Sequence, residues 1–339
     1  MTKRILASIG AVAVLSVAPI AAQAPNAAAK AKTTGAIPRT PDGHPDLQGV
    51  WTNATITPME RPSTFASKST VSDAEATEWE QKQAKELNAQ DGQSDGPLIA
   101  AAGSSGTGGY NVLFVDRGTE LARVDGTKRT SLVIDPPDGK VPPMLPEARQ
   151  RNMDRMRRGG GFNRYDSVKD RPTSERCLIG FGSTSGPPMM PVLYNNNYEI
   201  VQTPDAVMIL VEMVHDTRII RMNAKHDPSN IRKWLGDSIG HWDGDTLVVD
   251  TINFRDDTLF RGAGSDLHVI EHFKRVDAKT ILYRVTIDDP STWSKQFTME
   301  YPFNATAGPV YEYACHEGNY AMPDILGGAR KMESEATKK

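Results

Sequence analysis

Apolar and polar residues alternate along the second half of the chain, from Tyr194 onward. Runs that suit half-buried strands are separated by turn residues, such as Thr203-Pro204-Asp205 and Trp242-Asp243-Gly244-Asp245. Short strands and turns at this spacing are typical of antiparallel hairpins. The strand-like runs are YEIVQ, AVMILVEM, TRIIRM, TLVVDTINF, LHVIEHFKRV, TILYRVTIDD and QFTMEYPFN. We therefore predict a mainly β protein, built as an antiparallel lipocalin-like barrel or a strongly curved sheet.

The first half of the chain has a less regular pattern. Residues 71–90 carry a helical pattern, which Ser72 or Asp73 can cap and in which Trp79 marks a narrow apolar stripe. PEARQRNMDRMRR predicts a short basic helix, and YNVLFVDRG and RTSLVIDPPDGKVPP resemble strands. We expect an irregular N-terminal arm with one or two short helices, laid on the barrel.

The first 24 residues have the organisation of a secretory signal peptide. Lys3 and Arg4 precede an apolar run, and small residues surround Ala22-Gln23-Ala24. The run is shorter than a comfortable transmembrane span, and no later segment approaches the roughly 18 apolar residues that a span needs. We predict a periplasmic or secreted protein without an integral membrane segment after cleavage. A retained anchor is the alternative.

These patterns divide the chain into five parts. They are a signal peptide (1–24), a flexible leader (25–40), an arm with the helix and the first strands (41–170), the barrel core (171–330) and a tail (331–339).

Without Lys3 and Arg4, 37 of the 39 basic side chains remain against 42 acidic ones. This balance argues against nucleic acid as a partner. Assembly into a homodimer stays open.

The chain contains two cysteines, Cys177 and Cys315. In an oxidising compartment, a pair is most simply a disulfide bond. The alternative is a reactive thiol at Cys315, next to His316.

A first set of candidate catalytic residues lies between two predicted strands, at His215-Asp216-Thr217-Arg218. Loops on a rigid scaffold often carry functional side chains. His215 could act as a general base, Asp216 could orient its imidazole, and Arg218 could bind an anionic oxygen of the substrate. A polar hairpin turn is the plain alternative.

A second set follows Cys315. His316 could act as a general base, with Glu317 as its orienting carboxylate, and the proposed disulfide would bring both close to the segment that leads to Tyr194. An aromatic-lined pocket with a few polar groups is the usual form of a small-molecule site. In this interpretation Tyr194 stabilises a developing phenolate or alkoxide. The predicted substrate-binding residues are Arg218, Asn195, Asn196, His241, His268 and Tyr313.

The segment His268-Val-Ile-Glu271-His272 matches the H-x-x-E-H spacing of one class of zinc protease. That motif requires a helix, whereas this segment has the pattern of a strand. On a strand, His268 and His272 share one face and Glu271 points to the other. A metal site at His268 and His272 is thus an alternative without an obvious third ligand. No nucleophile elbow, dinucleotide fingerprint or haem-attachment motif is present, so we predict chemistry without a cofactor.

Several segments carry a resemblance to known proteins. They are PDGHPDLQGVWT, RTSLVIDPPDGKVPP, NNYEIVQTPDAVMILVEMVHDTRII, WLGDSIGHWDGDTLVVDTINF and YEYACHEGNY. With these, the chain resembles a large group of secreted, mostly uncharacterised bacterial proteins along nearly its whole mature length. It is also similar to bacterial lyases that remove formaldehyde from lignin-derived aromatic dimers such as phenylcoumarans. That resemblance implies an aromatic substrate and does not assign a catalytic role to any residue of this chain.

Three functions follow from these observations. The first is an exported, cofactor-independent acid/base lyase that acts on an aromatic small molecule. The second is a non-catalytic periplasmic protein that binds an apolar ligand in the barrel. The third is a metal-dependent hydrolase that uses His268 and His272.

Overall fold

A computed structural model describes residues 37–65, 67–91, 115–157, 164–180, 184–255 and 260–337. The predicted signal peptide, most of the leader and the first half of YNVLFVDRG lie outside these ranges. The strands are β1 (Gly49–Thr52), β2 (Thr70–Val71), β3 (Arg123–Val124), β4 (Thr127–Arg129), β5 (Val133–Asp135), β6 (Asn197–Gln202), β7 (Ala206–Val211), β8 (Thr217–Met222), β9 (Asp237–Asp243), β10 (Thr246–Ile252), β11 (His268–Arg275), β12 (Thr280–Asp288) and β13 (Phe297–Ala305). The helices are α1 (Asp73–Asp91), α2 (Pro146–Arg157) and α3 (Ala321–Ala336).

Strands β6 to β13 follow one another around a barrel, and β1 closes it. Trp51 in β1 lies opposite Tyr198 in β6 on one side and opposite Ala305 in β13 on the other. Within the described residues, nine strands form the closed barrel and β5 adds to the edge of β13. The prediction of a mainly β barrel is therefore confirmed.

Three details of the fold differ from the sequence prediction. The barrel is mixed, because β8 and β9 are parallel while its other described pairs are antiparallel. The described residues contain three α-helices instead of one or two. The barrel also includes β1, a strand from outside residues 171–330, because the β1 edge is needed to join β6 to β13.

Strict alternation along the strands determines which side chains enter the barrel. In β10, Leu247, Val249 and Thr251 are buried while the residues between them are partly exposed. In β11, Glu271 is buried between Val269 and Phe273. Alternation of this kind places every second side chain in the core. It also carries a carboxylate into the interior of the barrel.

A chain segment, residues 184–190, is buried against the barrel interior and is called here the inner segment. The Tyr198 hydroxyl donates to the Thr184 carbonyl (3.1 Å), and the Tyr301 hydroxyl donates to the Met189 carbonyl (2.8 Å). The Met189 amide donates to the Tyr283 hydroxyl (3.3 Å). Buried polar groups need such partners, so the three tyrosines fix the inner segment through its backbone.

Helix α1 begins with a capping box. The Ser72 amide donates to Glu75 Oε2 (3.0 Å), and the Glu75 amide donates to the Ser72 hydroxyl (3.4 Å). This reciprocal pair satisfies two backbone groups at the helix start and selects Ser72 as the cap. Trp79 packs on Phe65, in a small cluster separate from the barrel core. Among the described residues, no helix combines the length and apolarity needed to cross a membrane.

Cys177 and Cys315 form a disulfide bond, as predicted. Both cysteines of the chain are used, so the alternative of a reactive thiol at Cys315 is wrong. The bond joins positions 138 residues apart and attaches the C-terminal segment, residues 309–320, to the turn that precedes the inner segment. The Asn319 side chain adds a hydrogen bond to the Glu175 carbonyl (2.8 Å).

Candidate functional site

The barrel wall is incomplete at the parallel junction of β8 and β9. In the described chain, these strands are paired where Arg221 lies opposite Ile239 and where Met222 lies opposite Gly240. The first residues of β8 therefore have no ladder partner in β9, and the two strands diverge. The resulting gap, called here the seam cleft, has a volume of about 440 Å³.

The seam cleft reaches from the outer surface into the barrel. Arg218 and Ser238 belong to the buried faces of their strands, whereas Ile219 is on the exposed face of β8. Residues of both faces line the cleft, because it passes between two strands that have separated. Its described lining is Leu178, Ile179, Asp216, Thr217, Arg218, Ile219, Arg221, Lys233, Trp234, Leu235, Gly236, Asp237 and Ser238.

The inner end of the cleft contains a buried ion pair. Arg218 Nη1 and Nη2 donate to the two carboxylate oxygens of Glu271 at 3.0 and 2.6 Å, and both side chains are at most 1% exposed. The Tyr283 hydroxyl also donates to Glu271 (2.7 Å). Arg218 Nε is buried and has no hydrogen-bond partner among the described residues. A buried donor without an acceptor is costly, and this one belongs to a residue that lines a cleft.

Asp216 lines the same cleft, and one of its carboxylate oxygens accepts hydrogen bonds. Its Oδ2 accepts hydrogen bonds from the Gly180 amide (2.9 Å) and from the Ser185 hydroxyl. Its Oδ1 has no partner among the described residues. Burial raises the pKa of Asp216 above its ordinary value of 3.8, and the two hydrogen bonds only partly offset this effect. A carboxyl group with a raised pKa in a cleft is a candidate acid or base.

The cations of the outer rim are paired with carboxylates. Lys233 Nζ lies 2.7 Å from both Asp227 and Asp237, and Arg221 donates to Asp237 at 2.9 and 3.0 Å. Burial acts to raise the pKa of Asp237, but hydrogen bonds from Lys233 and from the Asp227 amide hold it well below 3.8. The rim thus presents neutralised ion pairs instead of an excess of positive charge.

Apolar side chains form the remaining wall. Trp234 lines the cleft and carries the Arg255 guanidinium over its ring at 4.1 Å. Ile219 is 61% exposed, which is high for a large aliphatic side chain on a strand. Leu178 and Leu235 complete this surface. An apolar wall beside a few polar groups is the common composition of a small-molecule site.

The structure places the predicted base His215 beside the cleft and not in its described lining. Val214 and His215 both have positive φ, 61° and 54°, in the turn between β7 and β8. Two such residues in succession usually select Asn-Gly, so this Val-His turn stores strain. His215 Nε2 lies 3.0 Å from the Tyr313 amide and 3.1 Å from the Tyr311 carbonyl. The imidazole therefore anchors the C-terminal segment.

The two carboxylates predicted to orient an imidazole, Asp216 and Glu317, lie in different surroundings. Asp216 bonds to Ser185 and Gly180, because adjacent residues at the start of a strand point in different directions. Glu317 and His316 are exposed on the C-terminal segment. The disulfide fixes the backbone of this segment, but these two side chains point into solvent. Among the described residues, neither carboxylate has a hydrogen bond to an imidazole, and the orienting role stays a prediction.

The predicted site residues next to Tyr194 belong to the loop that precedes β6 and stabilise it. Tyr194 is half-buried and packs against the barrel core, as does Tyr313. Asn195 has a positive φ of 56°. Asn196 is fully buried, and its amide group bonds to the Val192 backbone and to the Asp116 carbonyl. None of these four residues belongs to the described lining of the seam cleft.

The remaining predicted histidines are on the outer face of the wall. His241 is exposed on β9, and His268 and His272 share one face of β11 while Glu271 points inward, as the strand pattern predicted. His268 bonds to Asp250 (3.0 Å). In the parts of the chain described, no group of three or more His, Cys, Asp or Glu side chains is arranged to hold a metal ion. The described residues thus supply no third ligand for the metal alternative.

Of the predicted residues, the structure brings only Asp216 and Arg218 into the cleft. Sequence reasoning missed Trp234, Lys233 and Ser185. The segment KWLGDS places a tryptophan and a lysine in a loop directly before a strand, which is a signal for a functional loop. Nothing in the sequence indicates the contact of Ser185 with Asp216, because it joins residues 31 positions apart.

No protein-family model and no curated protein matches the chain. Among solved structures, the crystal structure of a mutant of the fluorescent protein UnaG is similar to part of it. The match has 14% sequence identity and a TM-score of 0.21, and it covers 33% of this chain and 72% of that chain. A similarity this low does not establish a shared function.

Replacement of Glu271 by Gln should destabilise the fold strongly. The substitution keeps the shape of the side chain but leaves the Arg218 charge buried without its counter-charge. We expect the free energy of unfolding to fall by about 3–5 kcal/mol, measured by urea denaturation at neutral pH. The control, Asp245→Asn, breaks the exposed pair with Arg39 and should change little, because solvent screens that pair. Equal losses in the two variants would contradict this account of the ion pair.

Proposed function

We propose that the seam cleft binds a small neutral molecule that has an apolar, aromatic body and a hydrogen-bond acceptor oxygen. The observation that carries this proposal is Arg218, which lines the cleft and whose buried Nε has no hydrogen-bond partner among the described residues. An acceptor oxygen on the ligand would satisfy that donor. A barrel with a cleft in its wall supports ligand binding. The predicted non-catalytic protein that binds an apolar ligand also requires such a site.

The size of the cleft suits such a ligand. Engineered protein cavities of about 150 Å³ accommodate benzene. The seam cleft, at about 440 Å³, has room for two rings with substituents. Trp234 and the exposed Ile219 supply apolar contacts for them.

The charges around the cleft favour a neutral ligand over an ionic one. Arg218 is paired with Glu271, and Arg221 and Lys233 are paired with Asp227 and Asp237. An anionic ligand would have to displace one of these carboxylates and would also meet Asp216. A neutral acceptor group avoids both costs.

A second candidate function is favoured by Asp216. Its raised pKa and its place in the cleft lining suit a general base that removes the proton of a primary hydroxyl group of the ligand. The C–C bond to that carbon then breaks to release formaldehyde, its electron pair forms a C=C bond, and the adjacent C–O bond breaks as a phenolate leaves. This is the acid/base lyase predicted from the sequence, with Asp216 in place of His215 or His316 as the base. The resemblance to formaldehyde-releasing lyases supports an aromatic substrate. The disulfide supports an oxidising compartment, and so an exported protein.

Binding can be tested with three probes of nearly equal shape: neutral benzamide, anionic benzoate and cationic benzamidine. Isothermal titration of the mature, disulfide-bonded protein should show that benzamide binds most tightly, because it offers an acceptor oxygen without a net charge. Trp234→Ala should weaken benzamide binding about tenfold, by loss of an aromatic contact.

The matched control is Trp242→Ala, since Trp242 stacks on His44 at 4.6 Å and is not in the described lining of the cleft. It should leave the affinity unchanged. Tighter binding of benzoate or benzamidine would disprove the charge argument. An equal loss of affinity in both tryptophan variants would place the ligand outside the seam cleft.

The lyase candidate predicts a specific effect of Asp216→Asn. This substitution keeps the shape of the side chain but removes the basic oxygen. Formaldehyde release from an aromatic dimer with a primary hydroxyl group should fall by about 10²–10⁴-fold, with benzamide affinity unchanged. In the unsubstituted protein, the rate should rise with pH through the raised pKa of Asp216, because the base must be ionised. His316→Ala should retain full turnover. If His316→Ala abolishes turnover and Asp216→Asn does not, Asp216 is not the base.

A further inference from the structure

The inner segment reaches the seam cleft through a serine that bonds to Asp216. The Ser185 hydroxyl donates to Asp216 Oδ2, and Ser185 is buried, with 2% of its surface exposed. The Gly180 amide donates to the same carboxylate oxygen at 2.9 Å and also to the Ser185 oxygen at 3.3 Å. An ionised carboxylate can only accept hydrogen bonds, so the hydroxyl proton of Ser185 points to Asp216.

The chain approaches itself so closely at Gly180 that no side chain fits there. A Cβ atom on Gly180 would lie 2.7 Å from Met213 Cγ and 2.9 Å from Ser185 Oγ, and it would lie closer still to Thr184 Oγ1. Glycine is the residue that permits such a close approach of the backbone. It therefore allows the amide at this position to reach Asp216 beside the Ser185 hydroxyl.

The inner segment is a firm support for Ser185. Tyr198, Tyr283 and Tyr301 are completely buried, and all three bond to the backbone of this segment. Burial raises the pKa of each of these tyrosines above its ordinary value of 10. The phenols stay neutral as a result, and their bonds to the inner segment do not change around neutral pH.

The backbone directs Asp216 toward the cleft. Asp216 is extended, with φ −62° and ψ 138°, and its carbonyl accepts a hydrogen bond from the Val211 amide (2.8 Å). In an extended chain, side chains two positions apart share one face, so Asp216 and Arg218 point the same way, and both line the cleft. Because Oδ2 is bonded to the inner segment side, Oδ1 is the oxygen left for a ligand.

Among the described residues, no charged side chain forms an ion pair with Asp216. The charged or titratable groups of the preceding turn and of the cleft, each bonded to another partner, are Glu212, His215, Arg218, Glu271, Lys233 and Asp237. The inner segment, residues 184–190, contains no titratable side chain. The ionised form of Asp216 is therefore stabilised by the two hydrogen bonds from Ser185 and Gly180.

We propose that Ser185 is a positioning residue for Asp216: together with the Gly180 amide it holds Oδ2 and presents Oδ1 to the ligand in the seam cleft as the proton acceptor. Both donors favour the ionised carboxylate, which is the form that can take up a proton. This inference rests on the lyase candidate of the proposed function, since it concerns the same carboxylate.

The loss of the Ser185 hydroxyl has an effect of defined sign. Burial raises the pKa of Asp216, and the hydrogen bonds from Ser185 and Gly180 act to lower it. Ser185→Ala removes one of the lowering contributions, so the pKa should rise further. The ionised fraction well below a pKa falls about tenfold for each unit by which that pKa rises. The variant should therefore need a higher pH to supply the same amount of base.

A carbon-detected NMR titration of the side-chain carboxyl groups measures this effect in the disulfide-bonded protein without a ligand. Asp216→Asn identifies the Asp216 resonance by its disappearance. In Ser185→Ala, the midpoint of that resonance should move to higher pH by about one pH unit, because the lost hydrogen bond is made to a charged group.

The matched control is Ser131→Ala. Ser131 is also 2% exposed, and its hydroxyl donates to the Val133 carbonyl (2.9 Å) instead of a carboxylate. The control removes an equally buried hydroxyl and should leave the Asp216 midpoint in place. A midpoint that stays in place or falls in Ser185→Ala, or that moves equally in Ser131→Ala, would overturn the positioning role.

Turnover provides a second and separate measurement. The pH profile of formaldehyde release by Ser185→Ala should move to higher pH by the same amount as the NMR midpoint, with benzamide affinity unchanged. A profile that stays in place while the midpoint moves would also overturn the positioning role. If the unsubstituted protein releases no formaldehyde, the lyase candidate is disproved, and the NMR comparison still decides whether Ser185 holds Asp216.

Discussion

The ion pair between Arg218 and Glu271 constrains the rest of this structure. Both side chains are buried inside the barrel, where an unpaired charge would be unfavourable by several kcal/mol, of the order of 3–5. The pair links β8 to β11, although β8 has lost its ladder to β9 at that level. Tyr283 bonds to the same carboxylate and to the inner segment. One buried pair thus connects the seam, the far wall and the inner segment.

The seam cleft is a consequence of topology. Two parallel neighbours cannot be joined by a tight hairpin, so the chain must cross from the end of β8 to the start of β9. The loop between β8 and β9, residues 223–236, provides this connection and delivers Lys233 and Trp234 to the point where the strands separate. The departure from an antiparallel barrel therefore produces three features together: a polar opening in the wall, an apolar side and a buried donor. In our proposal, this departure is where the ligand binds.

Much of the fold could be predicted from the sequence because it depends on local patterns. Alternation identified seven of the eight strands from Asn197 onward and missed β9. The sequence around Ser72 identified helix α1, and two cysteines in a chain with a predicted export signal predicted the disulfide. The parallel register of β8 and β9 was not predictable in this way. Alternating residues indicate which face is buried but do not determine the direction of the neighbouring strand. The closing role of β1 likewise depends on contacts between residues about 150 to 250 positions apart.

The candidate site was predicted only in part, for the same physical reason. Asp216 and Arg218 were identified from their place beside a turn. His215 and His316 were assigned a catalytic role because imidazole is the common base, yet one ring anchors the C-terminal segment and the other is exposed. Ser185, which bonds to Asp216, comes from the inner segment and shares no local pattern with it. Contacts of this kind depend on the closed barrel and are not encoded in short stretches of sequence.

The most direct test of the central claim is to locate bound benzamide by NMR chemical-shift mapping of the backbone amides in the disulfide-bonded protein. Binding at the seam cleft predicts the largest shifts in residues 178–180, 216–219 and 233–238, together with a shift of the Arg218 Nε–H resonance. Shifts confined to residues 309–320, around His215 and His316, would contradict this claim and would return the site to the C-terminal segment.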